Sequence, residues 1–174
     1  MAVVNDELRS SDGPPTRVNY FDGQMLSAAD FRAEQDYHRN MRYLHNRLLH
    51  GAGIVDGLDV DDAGDRAAVH VGPGVAIDAF GRELVLPERV SIDLPPGAAV
   101  DDETRWYVVA TWEEIRSAPV VVGDVTALSR WIEGCAISIS PTPPDDERPA
   151  LLLAQLTAAA GKVLRVHRSR RRRL

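Results

Sequence analysis

The chain has 174 residues, 44% of them hydrophobic and 26% charged, and carries a formal charge of −6 at pH 7. That length and balance fit one domain with a real core, or a helical segment plus one compact β domain, and exclude wholesale disorder and two full domains. The single cysteine, Cys135, excludes an internal disulfide, and with no signal-like start and no run of about eighteen apolar residues, folding in the cytoplasm without membrane insertion is expected.

Residues 1–16 are polar and broken by Gly13-Pro14-Pro15, and read as a flexible N-terminal arm. Tyr20 and Phe21 then precede Asp22-Gly23, a pair that favours a tight turn because glycine accepts positive φ. Ser27 followed by Asp30 is a capping-box variant, which predicts a helix starting at Ala28. From Ala28 to His50 there is no glycine or proline, and Gly51 and Gly53 supply the stop. Tyr37, Met41, Leu44 and Leu48 follow at spacings of four, three and four and form one apolar stripe. A stripe so narrow cannot hold a long helix alone, so it must lie against a sheet or against copies of itself.

Beyond Gly53 the pattern changes to period two. Ile54 to Val60, Ala68 to Val71, Val75 to Asp78, Glu83 to Leu86 and Val90 to Leu94 read as short strands joined by Gly-rich turns, with Ala79-Phe80-Gly81-Arg82 as a hairpin turn. Trp106 to Trp112 reads as a buried strand, Val120 to Val122 as a weaker one, and Trp131 to Ser140 as a strand with a bulge at Gly134. The proline-rich stretch 141–149 is a loop, and Leu151 to Leu156 with Lys162 to Val166 form a last hairpin, although LLLAQLTAAA also suits a helix. The fold class is therefore α+β, mainly β: one long N-terminal helix, then a small antiparallel β sandwich or barrel. The organisation is an arm (1–16), a turn motif plus helix (17–53), a β-rich domain (54–167) and a basic tail (168–174).

Arg165, Arg168, Arg170, Arg171, Arg172 and Arg173 lie within the last ten residues, and without them the formal charge falls from −6 to −12. Adjacent arginines need counter-charges. An acidic body repels polyanions, so acidic loops of a neighbouring copy or of another protein are favoured over nucleic acid, which is disfavoured; the alternative is a solvated end.

Catalytic and cofactor signatures are missing. There is no G-x-S-x-G elbow, no phosphate-cradling G-x-x-x-x-G-K-[ST] loop and no G-x-G-x-x-G between a strand and a helix. Glu34, His38 and His45 superficially resemble a metal row, but no partner cluster follows, and polar flank residues beside the stripe are the better reading. Cys135 in a strand is by default a small apolar residue. Paired carboxylates such as Asp61-Asp62, Asp101-Asp102 and Asp145-Asp146 fall in loops, where solvation accounts for them. No catalytic, cofactor-binding or metal residue is assigned, and the chain is not expected to be an enzyme.

The block Val18-Asn19-Tyr20-Phe21-Asp22-Gly23-Gln24-Met25-Leu26, with Asp30-Phe31, Glu34-Gln35-Asp36-Tyr37, Leu44-His45-Asn46-Arg47, His50-Gly51 and Gly57-Leu58, resembles an N-terminal segment of small proteins encoded with phage-tail-like contractile injection systems. The run from Val69 to Arg82 is similar to a β unit of phage baseplate and tail-fibre proteins. Together these cover roughly residues 17–94. The resemblance implies a structural subunit without a cofactor, at the baseplate periphery, at a fibre attachment or as a cap or adaptor, assembled into a particle that is released or acts at the cell envelope. The partners it implies are baseplate, tube, sheath or fibre subunits and further copies of the chain, a trimer being favoured. The assembly interface is then expected at Tyr20, Phe21, Leu26 and Phe31, at the stripe Tyr37, Met41, Leu44 and Leu48, and at Arg170, Arg171, Arg172 and Arg173. The first aromatics could instead pack the helix onto its own β domain. A rival of another class is a soluble carbohydrate- or protein-binding β module working through Trp106, Trp112 and Trp131.

Overall fold

In the computed structural model, residues 14–64, 67–95, 103–144, 149–159, 162–168 and 173–174 are described. A helix α1 (Ala28–His45) continues into one π-helical turn (Asn46–His50), closed by a hydrogen bond from Gly51 N to the Asn46 carbonyl at 2.9 Å. Among the described residues ten strands follow: β1 (Gly53–Gly57), β2 (Val60–Asp62), β3 (Ala68–Val71), β4 (Gly74–Ile77), β5 (Glu83–Leu86), β6 (Val90–Asp93), β7 (Thr104–Val122), β8 (Val125–Ser140), β9 (Leu151–Ala159) and β10 (Lys162–His167). The fold is α+β and mainly β, as the change of period at Gly53 predicts.

The strands make three antiparallel sheets, ordered β1-β4-β5, β2-β3-β6 and β10-β9-β7-β8. They close on one core as a half-barrel. Ile54, Leu58, Val60, Val69, Val71 and Leu84 of the two small sheets meet Trp106, Val108, Ala110, Leu153 and Leu156 of the large one. Apart from Leu58, which lies between β1 and β2, each is an apolar residue on the buried face of a strand, and burying one such large side chain contributes about 1.5–3 kcal/mol.

The sequence expectation of one strand from Ile54 to Val60 is corrected: the chain breaks at Gly57 and Leu58, both at positive φ. A side chain at Gly57 would overlap the Pro73 carbonyl, so the end of β1 can approach the start of β4 this closely only where the backbone is bare. The stretch from Leu151, for which a helix was the alternative, is strand, because it is hydrogen-bonded between β7 and β10 on both edges. No bulge occurs at Gly134, whose register opposite Glu113 runs on unbroken.

The largest departure is the β7–β8 hairpin. Period-two reading gives a strand ending at Trp112 and a separate weak one at Val120; the structure has one strand of 19 residues paired along its length with one of 16. Only Thr104 to Ala110 of β7 also touches β9. Beyond that, the hairpin leaves the body as a two-stranded arm, and its open edge tolerates Pro119, which has no N–H to donate. The arm turns at Gly123-Asp124, with Gly123 at φ 61°.

Candidate assembly interface

Three parts of the chain project apolar side chains: the turn before the helix, the helix, and the arm. The turn is stitched by Gln24 N donating to the Phe21 carbonyl (3.1 Å) and Phe21 N donating to Gln24 Oε1 (3.3 Å), with Gly23 at φ 85°. The predicted cap follows. Asp30 N donates to Ser27 Oγ, and Asp30 Oδ2 accepts from Ser27 N and Oγ, both at 2.7 Å. These hydrogen bonds from Ser27 hold the Asp30 carboxyl below its ordinary pKa. The backbone is thus locally fixed, yet Tyr20 is 50% and Phe21 64% exposed, and Met25, Leu26 and Phe31 are exposed as well. Packing of Tyr20 and Phe21 onto the chain's own β domain, one of the two sequence expectations, is overturned.

The helix has no buried residue over Ala28–His45 and meets the β body through Arg39 and Arg42, followed by Asn46 of the π turn. Arg39 bridges Asp36 (3.1 Å) and Glu114 (3.2 Å), and Arg42 meets Glu83 at 3.0 Å. Asn46, the buried residue of the π turn, donates through Nδ2 to the Gly81 carbonyl (2.9 Å) and to Glu83 Oε1 (2.8 Å). Tyr43 stands between these contacts; burial, and secondarily the charge of Glu133, raises the pKa of its phenol.

At about 100° per residue, Arg39, Arg42, Tyr43 and Asn46 gather on one side of the helix, and Tyr37, Met41, Leu44 and Leu48 on the opposite side. The helix therefore docks through its polar face and turns its stripe away from the sheets. Tyr37, Met41 and Leu44 are half-buried, and Leu48 is exposed. Of the two packings a narrow stripe allows, the one against the chain's own sheet is not what forms.

The turn that receives the helix is built on a buried ion pair. Asp78, whose side chain has no exposure, accepts through Oδ1 from Phe80 N and Arg82 N (2.9 Å each) and through Oδ2 from Arg82 Nε (2.7 Å). The Arg82 guanidinium stacks on Phe80 and Trp112, 4.9 and 4.8 Å from the ring centroids. The sequence reading marks this stretch as a turn but misses its role as the helix socket; an Asp four residues before an Arg around a glycine was the available signal.

The arm was also missed. Val120, Val121, Val122, Val125 and Leu128 are exposed around its tip, and Ile115 and Ile132 form an exposed cross-strand pair. The signal lay in Gly123-Asp124, a two-residue hairpin turn flanked by valines. Among the tryptophans, Trp106 is in the core and Trp112 is enclosed beside it, while Trp131 is 53% exposed with Arg116 stacked 4.6 Å from its centroid.

For the basic tail, Arg170, Arg171 and Arg172 lie outside the described residues. Arg168 pairs with Asp61 and Arg173 with Asp59 (3.4 Å), both of this chain. Cys135 faces Trp112 across the arm's base, and burial plus the nearby Glu113 pushes its thiol up to about 11. His38 pairs with Glu34 at 2.9 Å on the helix surface, and among the described residues no three His, Cys, Asp or Glu side chains gather as a metal site. Among the same residues no helix is long and apolar enough to cross a membrane.

No protein-family model matches the chain, and no curated protein sequence matches it. Solved structures do. A crystal structure of TssK superposes with a TM-score of 0.54 at 12% identity, over 88% of this chain and 41% of that one. A chain of the type VI secretion system TssK-TssF-TssG baseplate subcomplex gives 0.55 at 14% identity, over 88% and 60%. A chain of the baseplate complex from the type VI secretion system gives 0.55 at 10% identity, over 88% and 58%. The chain thus spans from 41% to 60% of the length of these proteins, and at such identities what it shares with them is the fold.

Proposed function

We propose that this chain is a non-enzymatic structural subunit of a phage-tail-like contractile injection particle, placed at the baseplate periphery, at a fibre attachment or as a cap or adaptor. The observation that carries the reading is the fold held in common, over 88% of the chain, with proteins of type VI secretion baseplates. The geometry adds a physical reason. A helix whose apolar stripe faces away from its own core, a pre-formed aromatic turn and an apolar two-stranded arm are poor investments for a lone protein and suit one that neighbours cover. Its partners are other particle subunits and further copies of itself, with a trimer built on the helix stripe as the first expectation.

The rival, a carbohydrate- or protein-binding β module, draws on the exposed Trp131 with its stacked Arg116. Burial of Trp106 and enclosure of Trp112 leave it without the three-tryptophan platform it requires.

The test is co-purification from a host producing such particles. An epitope-tagged copy should sediment with the particles and be gold-labelled at one end, and its deletion should remove density there. A tagged chain that stays in the supernatant while complete particles form overturns the proposal.

A further inference from the structure

We propose that His45 and His50 form a two-imidazole site for a divalent transition-metal ion of the zinc class, and that the bound ion clamps the turn joining the helix to the β body. The argument needs no particle role. In an α-helix five residues advance by about 500°, which would set these two rings about 140° apart around the axis. Here the helix widens instead: Gly51 N donates to the Asn46 carbonyl, a bond five residues long, and Asn46–His50 is a π-helical turn. That widening brings residues five apart nearly into line. The ring centroids of His45 and His50 accordingly lie 5.3 Å apart, with their planes at 59°. Single π turns of this kind recur at functional sites in helices.

The spacing suits a shared ion. With metal–nitrogen bonds of about 2.0–2.1 Å, the centre of a ligating imidazole lies about 3.2 Å from the metal, and two such rings in tetrahedral positions stand about 5.2 Å apart. Both histidines are exposed, so an ion reaches the pair from solvent. Among the described residues neither ring has a hydrogen bond or an ion pair, which leaves its nitrogens available to ligate. His38, on the same helix, is by contrast held by Glu34. Imidazole suits zinc, copper and nickel, whereas magnesium and calcium take oxygen ligands. Between the two histidines in sequence, Asn46 is buried and anchored through Nδ2 on the Gly81 carbonyl and on Glu83 Oε1. The pair thus stands on backbone that the β body already fixes, which lowers the ordering cost of ligation. Two protein ligands leave the other positions to water, so the site is weaker than a four-ligand one.

The test is zinc chloride titrated into the full-length chain, read by calorimetry and by amide exchange across Asn46 to Gly51. One equivalent should bind and slow that exchange. H45A and H50A should each weaken binding by about tenfold or more, as loss of one of two ligands requires, while H38A, H70A and H167A leave it unchanged. Magnesium chloride should give no binding. Absence of saturable binding at millimolar zinc, affinity that survives H50A, or affinity that falls with H38A overturns the site. Zinc binding that leaves exchange at the turn unchanged overturns the clamp. Should H45A fail to fold by circular dichroism, H50A, at an exposed position outside the core, decides.

Discussion

A side chain at Gly81 would overlap the carbonyl oxygen of Tyr43, so the root of the helix and the β4–β5 turn touch backbone to backbone. Gly81 also sits at φ 86°, where other residues are strained. Gly81→Ala is therefore expected to destabilise the protein by about 2 kcal/mol and to loosen the helix from the body. Urea unfolding gives the first quantity, and amide exchange at Tyr43 to Asn46 gives the second. Wild-type values for both would mean that the contact yields without cost.

Beside that contact, Asp78 and Arg82 form an ion pair whose carboxylate is wholly buried. Asp78→Ala leaves the guanidinium and two backbone N–H groups without their acceptor, and should cost about 3–5 kcal/mol, the range for breaking a buried pair. Because Arg82 stacks on Trp112, tryptophan emission should shift in the same variant.

In the proposed trimer the helix stripe is the contact surface. If the proposed self-association runs through the stripe, Met41→Glu with Leu44→Glu should leave a monomer in light scattering, and because both residues are half-buried outside the core the thermal midpoint should fall less than for a core substitution. Tyr20→Ala with Phe21→Ala should behave alike: incorporation into particles falls and stability holds, because both rings are exposed. A large fall in midpoint would contradict the exposed placement.

Cys135 gives a pH signature. Its folded pKa of about 11 lies above the unsupported value of 9.0. The native state therefore holds the proton that the unfolded chain releases, and the contribution of this group to stability is complete below pH 9 and is lost as pH rises toward 11. Alkylation of the native thiol should be slow at pH 8 and accelerate on unfolding. Rapid native labelling at that pH would refute the burial.

At the acid end, Asp30 acts in the opposite sense. Its lowered pKa means the cap is present above the usual carboxylate range and is lost as pH falls through the depressed value. Since no residue of the helix is buried, the loss should be read as faster amide exchange in the first turn, with the global transition unmoved. Ser27→Ala should reproduce that fraying at neutral pH.

The sequence by itself determined what depends on near neighbours. The Ser27–Asp30 cap, the helix start at Ala28, its stop at Gly51 and most of the short strands follow from residues within a few positions of one another. The apolar stripe was legible as well, but not which way it points. That depends on Asn46 reaching Gly81 and Arg39 reaching Glu114, contacts between residues 35 and 75 apart, which no local period encodes. The arm belongs to the same class: valines and a proline between Trp112 and Trp131 make poor strand signals singly, and only pairing across Gly123-Asp124 joins them into one hairpin. Tertiary structure also decided the partners of Arg168 and Arg173, because charge composition gives the sign a partner must have, whereas the path of the chain decides that Asp61 and Asp59 stand within reach.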